Sequence, residues 1–309
     1  MPSTEPPAAP VGLPFHRLHR LGDAGWLGAL AGVFVVVVGW FALSLVVVGL
    51  LGAVDVDVTL DPLVPGALLA TDLVWALAIV LVGVVALLVH RLPFGLVLSV
   101  AGRMRWTWFA GCLGLAAVAL AVAVGVSFFF PQQPGTELGD QLNPFTDRIR
   151  DFTLIVVLLT PLQAAGEEVV FRGYLTQAFG GLAHGRAATA LAVGVPALLF
   201  AIAHGAQSGP VFVDRFVFGL VAGVLVLVTG GLEAGIAMHL LNNWLSLGLA
   251  LALGDIDAAI NPEGGTWGIL PGTLTQSLLY LGLVVWVARR RGVATRSEGA
   301  VLAARGGAG

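Results

Sequence analysis

The chain contains little charge and no lysine. Only 11% of its 309 residues are charged, and all fifteen basic residues are arginine. An average soluble domain carries about 25% charged residues. Apolar residues make up 58% of the chain, and the mean hydropathy is +0.95. This composition excludes an ordinary soluble protein and indicates one that crosses a membrane several times. The single cysteine, Cys112, excludes an intrachain disulfide and a cysteine-based metal site.

Several common catalytic and binding motifs are also missing. The sequence has no G-x-S-x-G nucleophile motif, no H-E-x-x-H zinc motif and no glycine-rich phosphate loop. It has no basic–aromatic stripe of the kind that binds nucleic acid, so we expect no nucleic-acid partner. The aspartate pairs 55/57 and 255/257 fall in loops, outside the sequence context typical of intramembrane aspartyl proteases.

Long apolar runs fill most of the chain. A bilayer core requires about 20 apolar residues per helix. The candidate spans are 26–52, 66–89, 107–130, 152–170, 187–204, 211–229, 235–253 and 269–288. The sequence therefore predicts an all-α polytopic membrane protein with about eight transmembrane helices. The stretch 89–106 contains three arginines and is too charged to span, so we expect an interfacial amphipathic segment there.

The charges predict the orientation and the domain limits. Arginines precede the first span and follow the second and eighth, whereas acidic residues follow the first and seventh. The positive-inside rule then places both termini in the cytoplasm. We expect disordered cytoplasmic tails at 1–22 and 292–309, and a single membrane domain at 23–291 with a functional core at about 151–255. The all-arginine, Ala/Val/Gly-rich composition is typical of a bacterial protein from a GC-rich genome, which indicates the bacterial inner membrane.

Polar residues inside apolar segments are the strongest functional signal, because ionisable groups are costly in hydrocarbon. In "EEVVFR", Glu168 and Arg172 are four residues apart and share a helix face, so we expect them to pair. Glu167 points about 100° away from Glu168 and has no local cation. It is therefore the carboxylate left for proton transfer. The structural alternative is an ion pair with a spare interfacial glutamate.

Two further polar pairs follow in later spans. Phe200 and His204 are four residues apart at the end of an apolar helix, and His239 and Asn243 repeat that spacing in another. Each pair alone also suits a capping residue or an interhelical hydrogen bond. A helical hairpin with its tip near residues 184–185 would place Glu167 and His204 at similar distances from the tip. We therefore expect these two residues to meet, with His239 joining them if the hairpin protrudes from the membrane.

Two chemistries suit this set of side chains. A glutamate and a histidine that converge on one water can act as general base, while a second histidine and an amide stabilise an oxyanion. Alternatively, Glu167, His204 and His239 could ligate Zn²⁺ as a His₂Glu site. The residues alone do not decide between a reaction that requires no cofactor and one that uses zinc.

The ordered motifs resemble the CPBP family of intramembrane proteases, which includes CAAX prenyl endopeptidases and bacterial Abi-type proteins. The family pattern is E-E-x-x-x-R, F-x-x-x-H and H-x-x-x-N, and all three parts occur here in order. The resemblance implies an endopeptidase, of glutamic or metallo type, in which Glu167 and His204 activate water. It further implies that His239 and Asn243 form the oxyanion site and that Glu168 and Arg172 organise it.

A peptide or membrane-protein substrate and membrane lipid are the partners that this resemblance implies. CAAX-prenylated substrates are not expected in a bacterium, so the substrate stays open, as do the side on which the cleft opens, the oligomeric state and the role of the first three spans. Two other functions also remain open at this point. The polar cluster suits a proton-coupled transporter, although no inverted repeat is visible, and it suits a non-catalytic immunity or scaffold protein.

Overall fold

The computed structural model describes residues 12–130, 137–205, 208–260 and 264–297, and within them every regular element is helical. A 3₁₀-helix at Phe15–Leu21 comes first, and a π-helix at Val169–Leu175 interrupts the α-helices. The α-helices are α1 Gly25–Ala53, α2 Pro65–Leu88, α3 Gly95–Leu98, α4 Trp106–Ser127, α5 Asp147–Leu158, α6 Thr160–Glu168, α7 Thr176–Leu182, α8 Gly185–Ala203, α9 Gly209–Thr229, α10 Glu233–Leu253, α11 Ile256–Ile260 and α12 Ile269–Arg291.

The predicted all-α polytopic membrane architecture is confirmed. Seven of the described helices are long and apolar enough to cross a membrane, and the bent run from α5 to α7 brings the number to eight. The predicted fourth span, 152–170, was wrong in its detail. The chain bends by 42° between α5 and α6, where Pro161 has no N–H to continue the helical hydrogen bonds of α5. Beyond the bend, the run continues through the π-helix to Leu182.

The prediction of disordered tails was wrong for the described parts of both tails. Phe15 and Leu18 are fully buried, and the 3₁₀-helix that carries them packs against α7. The backbones of Pro14 and Arg296 lie side by side, and next to them Ser297 N–H donates to the Leu13 carbonyl over 2.9 Å. The two terminal segments therefore meet at one end of the helix bundle. Residues 1–11 and 298–309 lie outside the described residues.

The segment 89–106 does not span, as predicted, and its apolar side chains pack into the protein. Leu92, Leu96 and Val97 are each 1% exposed. The short helix α3 contacts the π-helix. On either side of the α9–α10 turn, Val100 N–H donates to the Gly230 carbonyl over 2.8 Å and Leu232 N–H donates to the Leu98 carbonyl over 2.9 Å. The segment thus braces the helices that carry the polar motifs.

Glycines allow the helices around those motifs to approach closely. A Cβ atom on Gly166 would collide with the backbone carbonyl of Trp75, so α6 lies directly against α2. A Cβ on Gly219 would stand 3.1 Å from Ala197, and one on Gly223 would stand 3.1 Å from Val193, which shows that α9 runs tightly along α8. The hydrophobic effect does not drive helices together in lipid, so helix association depends on van der Waals packing instead. Small residues at such crossings permit the close approach that this packing requires.

Candidate active site

The predicted pair of Glu168 and Arg172 is confirmed. Arg172 Nη1 donates to Glu168 Oε1 over 2.9 Å, and both residues are fully buried. The pair bridges the end of α6 and the π-helix, an element that often marks functional sites. The Arg172 guanidinium also lies over the ring of Phe200, with 4.0 Å between its carbon and the ring centroid. Arg172 therefore ties α8 to the glutamate motif through the phenylalanine of the second motif.

His239 of α10 lies between the two glutamates. Its Nδ1 is 3.0 Å from Glu168 Oε1, and its Nε2 is 3.6 Å from Glu167 Oε2. Because the carboxylate oxygen of Glu168 accepts, Nδ1 carries the proton and donates to it. Gly235, one turn earlier on α10, permits this approach, since a Cβ there would stand 2.8 Å from Glu168 Oε2. The missing side chain at Gly235 therefore allows the third motif to contact the first.

Gln163 and Asn243 extend the same chain of hydrogen bonds. Gln163 Nε2 donates to Glu167 Oε1 over 2.6 Å, and Asn243 Nδ2 donates to Gln163 Oε1 over 3.1 Å. The sequence motifs predicted Asn243 for the site but not Gln163. The signal was available, because Gln163 precedes Glu167 by four residues and so shares its helix face. The amide of Gln163 joins the first motif to the third.

Like His239, His204 contacts the ring of Phe200. Its Nδ1 is 2.7 Å from the Phe200 carbonyl oxygen, and its ring centroid is 4.6 Å from that of Phe200. The Phe200 ring is in turn 5.9 Å from the His239 ring. Between the described residues, the structure has no hydrogen bond or ion pair from His204 to Glu167, and His239 takes the predicted place. The reason is that His204 follows the last residue of α8 and donates a hydrogen bond to the Phe200 carbonyl, four residues earlier in the chain.

Glu167 keeps one carboxylate oxygen without a hydrogen-bond partner in the described part of the chain. This atom, Oε2, is buried and is the one that faces His239 Nε2. A buried polar oxygen without a partner is unusual, and such atoms often belong to functional sites. In the neutral imidazole with its proton on Nδ1, Nε2 of His239 is an acceptor as well. The two facing acceptors require a hydrogen donor, such as water, between or beside them.

The predicted zinc ligands fit a metal in chemistry but not in arrangement. Both histidines donate from Nδ1 to an oxygen, which leaves Nε2 as a lone pair of the kind that binds metals. Nevertheless, no three His, Cys, Asp or Glu side chains are grouped as metal ligands anywhere in the described ranges. Of Glu167, His204 and His239, the first and the last lie within 3.6 Å of each other, and His204 forms no ion pair with either in the described part of the chain.

A second ion pair, which no sequence motif indicated, fixes the start of α10. Arg105 donates from Nε and Nη2 to the two oxygens of Glu233, each over 2.7 Å. The same guanidinium donates to the carbonyls of Thr229 and Ala294 over 2.9 and 3.0 Å. Since Glu233 begins the helix that carries His239, this pair sets the position of the third motif.

Comparison with known proteins supports the motif-based resemblance. Residues 149–245 match the family model described as Type II CAAX prenyl endopeptidase Rce1-like. The uncharacterized protein YyaK from Bacillus subtilis strain 168 is 24% identical over 246 residues, which cover 75% of this chain and 78% of that protein. No solved structure matches the chain. The family match includes every residue of the three motifs and supports an intramembrane endopeptidase in general terms.

Proposed function

We propose that the chain, with its Rce1-like segment at residues 149–245, hydrolyses a peptide bond within the membrane by means of a water that Glu167 activates. The observation that carries this proposal is the buried Oε2 of Glu167, which accepts no hydrogen bond from the described residues and faces His239 Nε2 at 3.6 Å. A carboxylate in this state is a suitable general base, since desolvation favours its taking up a proton.

The steps follow from the positions of the side chains. Glu167 Oε2 takes one proton from the water, and the hydroxide oxygen bonds to the carbonyl carbon of the substrate. The tetrahedral intermediate then breaks its C–N bond as Glu167 returns the proton to the leaving nitrogen. Positioned general base catalysis of this kind contributes about 10²–10⁴-fold to the rate. The reaction consumes one water for each peptide bond and regenerates the Glu167 carboxylate.

The surrounding residues have distinct parts in this scheme. Glu168, held by Arg172, fixes the ring of His239 so that Nε2 faces Glu167 and contacts the attacking water. Asn243 uses one amide hydrogen on Gln163 and has a second one to donate to the oxyanion. His204 keeps Nε2 as an acceptor and would contact the water or the leaving group from the α8 side. His239 thus replaces His204 as the histidine that faces the base.

A set of variants tests the proposal directly. Wild type and the variants Glu167→Ala, His204→Ala and Asn243→Ala are purified, reconstituted into vesicles and incubated with a library of membrane-spanning peptides. Mass spectrometry should show cleavage by wild type and by the control Glu137→Gln, whose carboxylate is exposed in a loop. The three site variants should be impaired. If all three cut like wild type while folding normally, these residues do not carry the reaction. A folded wild-type protein that cuts no peptide would instead refute the protease function and favour a transporter or scaffold role.

The role of a metal requires its own measurement. Wild-type protein is assayed before and after treatment with a chelator, and again after Zn²⁺ is restored. Activity that survives chelation supports the reaction without a metal. Activity that is lost and then regained with Zn²⁺ shows that the reaction requires the ion, and would favour Glu167, His204 and His239 as its ligands.

We propose further that the protein lies in the bacterial inner membrane with both termini in the cytoplasm. The hydrogen bond between Leu13 and Ser297 supports placing the two ends at one face of the bundle, and the arginine-rich loops favour the cytoplasmic side. Reporter fusions at the two termini test this orientation. A periplasmic signal from either fusion would refute it.

A further inference from the structure

Helix α9 carries two adjacent charged residues, Asp214 and Arg215, that none of the three motifs contains. Both lie inside a stretch long and apolar enough to cross the membrane, where charged side chains are costly and generally functional. Both are only partly exposed to the surroundings. Asp214 has a buried Oδ1 without a hydrogen-bond partner among the described residues. Because burying these charges in a membrane segment costs free energy, we expect the pair to have a function.

The register of α8 and α9 places Arg215 beside the candidate active site. Gly219 contacts Ala197, and one turn further along α9, Gly223 contacts Val193 one turn earlier on α8. The two helices are therefore antiparallel, and the same register sets Arg215 level with Ala201. That position is less than one helical turn from His204, since three residues rise about 4.5 Å.

The face of α9 that carries Arg215 is the face that packs on the site. Phe218, three residues later, shares this face, and its ring centroid lies 5.3 Å from that of His239. The Arg215 guanidinium lies within electrostatic range of Asp214, its neighbour in sequence, and also of His204 and Glu167 in the site. Arg215 is thus a cation at the edge of the site, on the side of His204.

We propose that Arg215 binds a carboxylate of the peptide substrate and so selects substrates that carry one near the bond to be cut. This inference rests on the proposed peptidase function. A guanidinium matches a carboxylate with two parallel hydrogen bonds, and such pairs are stronger where water is excluded. The carboxylate is either the free chain terminus or the side chain of Asp or Glu. The closeness of Arg215 to His204 places it within a few residues of the scissile bond.

Binding measurements test this subsite without relying on cleavage. The protein carries Glu167→Gln throughout, is reconstituted into nanodiscs, and is titrated with fluorescent membrane-spanning peptides made in matched pairs. One pair has a free or an amidated C-terminus, and two pairs exchange Asp for Asn and Glu for Gln near the membrane surface. We expect the carboxylate member of at least one pair to bind about tenfold more tightly or better. The pair that shows this preference identifies the source of the carboxylate.

Substitution of Arg215 then assigns the preference to this residue. Arg215→Gln should bind both members of that pair equally and as weakly as the neutral peptide binds before substitution. Arg215→Lys should retain part of the preference, and Arg186→Gln, which removes an exposed arginine of α8, should retain all of it. Equal binding of both members in every pair before substitution would overturn the proposal. So would a preference that persists in both Arg215 variants.

The cleavage assay separates this subsite from the proposed reaction. With the catalytic Glu167 restored, the Arg215→Gln substitution should raise KM for the carboxylate peptide and leave kcat nearly unchanged. An inert wild-type protein that still prefers the carboxylate member in binding would refute the peptidase function and retain the anion site. A protein that cuts both members equally would refute the subsite alone.

Discussion

His239 Nδ1 lies 3.0 Å from Glu168 Oε1, the same oxygen that accepts from Arg172. The buried ion pair therefore orients the histidine as well as neutralising the arginine. Since Nδ1 is held in this way, Nε2 can point only toward Glu167, where it lies 3.6 Å from Oε2. Two adjacent glutamates thus have different parts, one as an orienting group and the other as a base.

Removal of Glu168 should destabilise the whole protein. Glu168→Ala leaves the guanidinium of Arg172 buried without its counterion, which costs about 3–5 kcal/mol. Thermal unfolding in detergent should show a large fall in midpoint, whereas Glu167→Ala, which breaks no ion pair with arginine, should lower it much less. A Glu168→Ala protein as stable as Glu167→Ala would contradict the assignment of the two carboxylates.

Gln163 should be required for activity although it belongs to none of the three motifs. Gln163→Ala removes the donor to Glu167 Oε1 and the acceptor of Asn243, so both the base and the oxyanion donor lose their orientation. We expect kcat to fall by about tenfold or more, in line with one lost hydrogen bond of about 1.5 kcal/mol to a charged group. Gln141→Ala, at an exposed loop position, serves as the control. An unchanged kcat in Gln163→Ala would show that the amide only fills space.

Gly235 should tolerate no side chain. A Cβ atom there would stand 2.8 Å from Glu168 Oε2, and that carboxylate cannot move away without leaving Arg172 or His239. Gly235→Ala should therefore lose about 1–3 kcal/mol of stability and most of its activity.

Gly248 lies on the same helix with open space around its Cα, which makes Gly248→Ala a matched control. The control should keep wild-type stability and activity, because alanine is the better helix former. Two glycine-to-alanine variants with the same effect would contradict the close approach of α10 to Glu168. Circular dichroism on heating and the peptide assay together decide the matter.

Docking of the N-terminal segment should weaken in acid. His19 stacks on His90 with 4.1 Å between ring centroids, and His90 Nε2 lies 2.8 Å from the Tyr174 hydroxyl. Burial, and secondly the neighbouring His90, hold the pKa of His19 well below 6.5, and burial also lowers the pKa of His90. Both rings are therefore neutral when docked and take up protons when released. Docking is at full strength above pH of about 6.5 and weakens as the pH falls below that value.

Hydrogen exchange measures this effect. Amides of residues 13–22 should lose protection between pH 7.5 and 5, after correction for the intrinsic exchange rate, while those of α9 keep theirs. His19→Phe keeps the aromatic packing without a proton to bind, so its segment should depend less on pH. Equal loss of protection in both proteins would show that His19 does not control the docking.

Much of the fold was predictable because hydropathy determines where helices can lie in a bilayer. The spans that became α1, α2 and α4 differ from the observed helices by one to three residues at each end. The Glu168–Arg172 pair was equally accessible, since it depends only on positions four residues apart in one helix. The turn expected near residues 184–185 was also found, between Leu182 and Gly185.

What escaped prediction depends on contacts between distant segments. Equal distance from the hairpin tip suggested that His204 meets Glu167, but His239 reaches it instead because Gly235 lets α10 approach. The buried Phe15 and Leu18 stand in a Pro-rich, arginine-containing segment that resembles a tail, and only docking on α7 reveals them as core residues. The Arg105–Glu233 pair joins residues 128 positions apart, and neither residue belongs to a recognisable motif.

The central claim is that the Glu167 carboxylate is the base, and the rate of peptide cleavage by Glu167→Gln tests it most directly. Glutamine keeps the size of the side chain and a carbonyl oxygen for Gln163, but it cannot take a proton from water. We predict a loss of about 10²–10⁴-fold in kcat, with the fold and the Glu168–Arg172 pair intact. Cleavage by Glu167→Gln at the wild-type rate would contradict the mechanism.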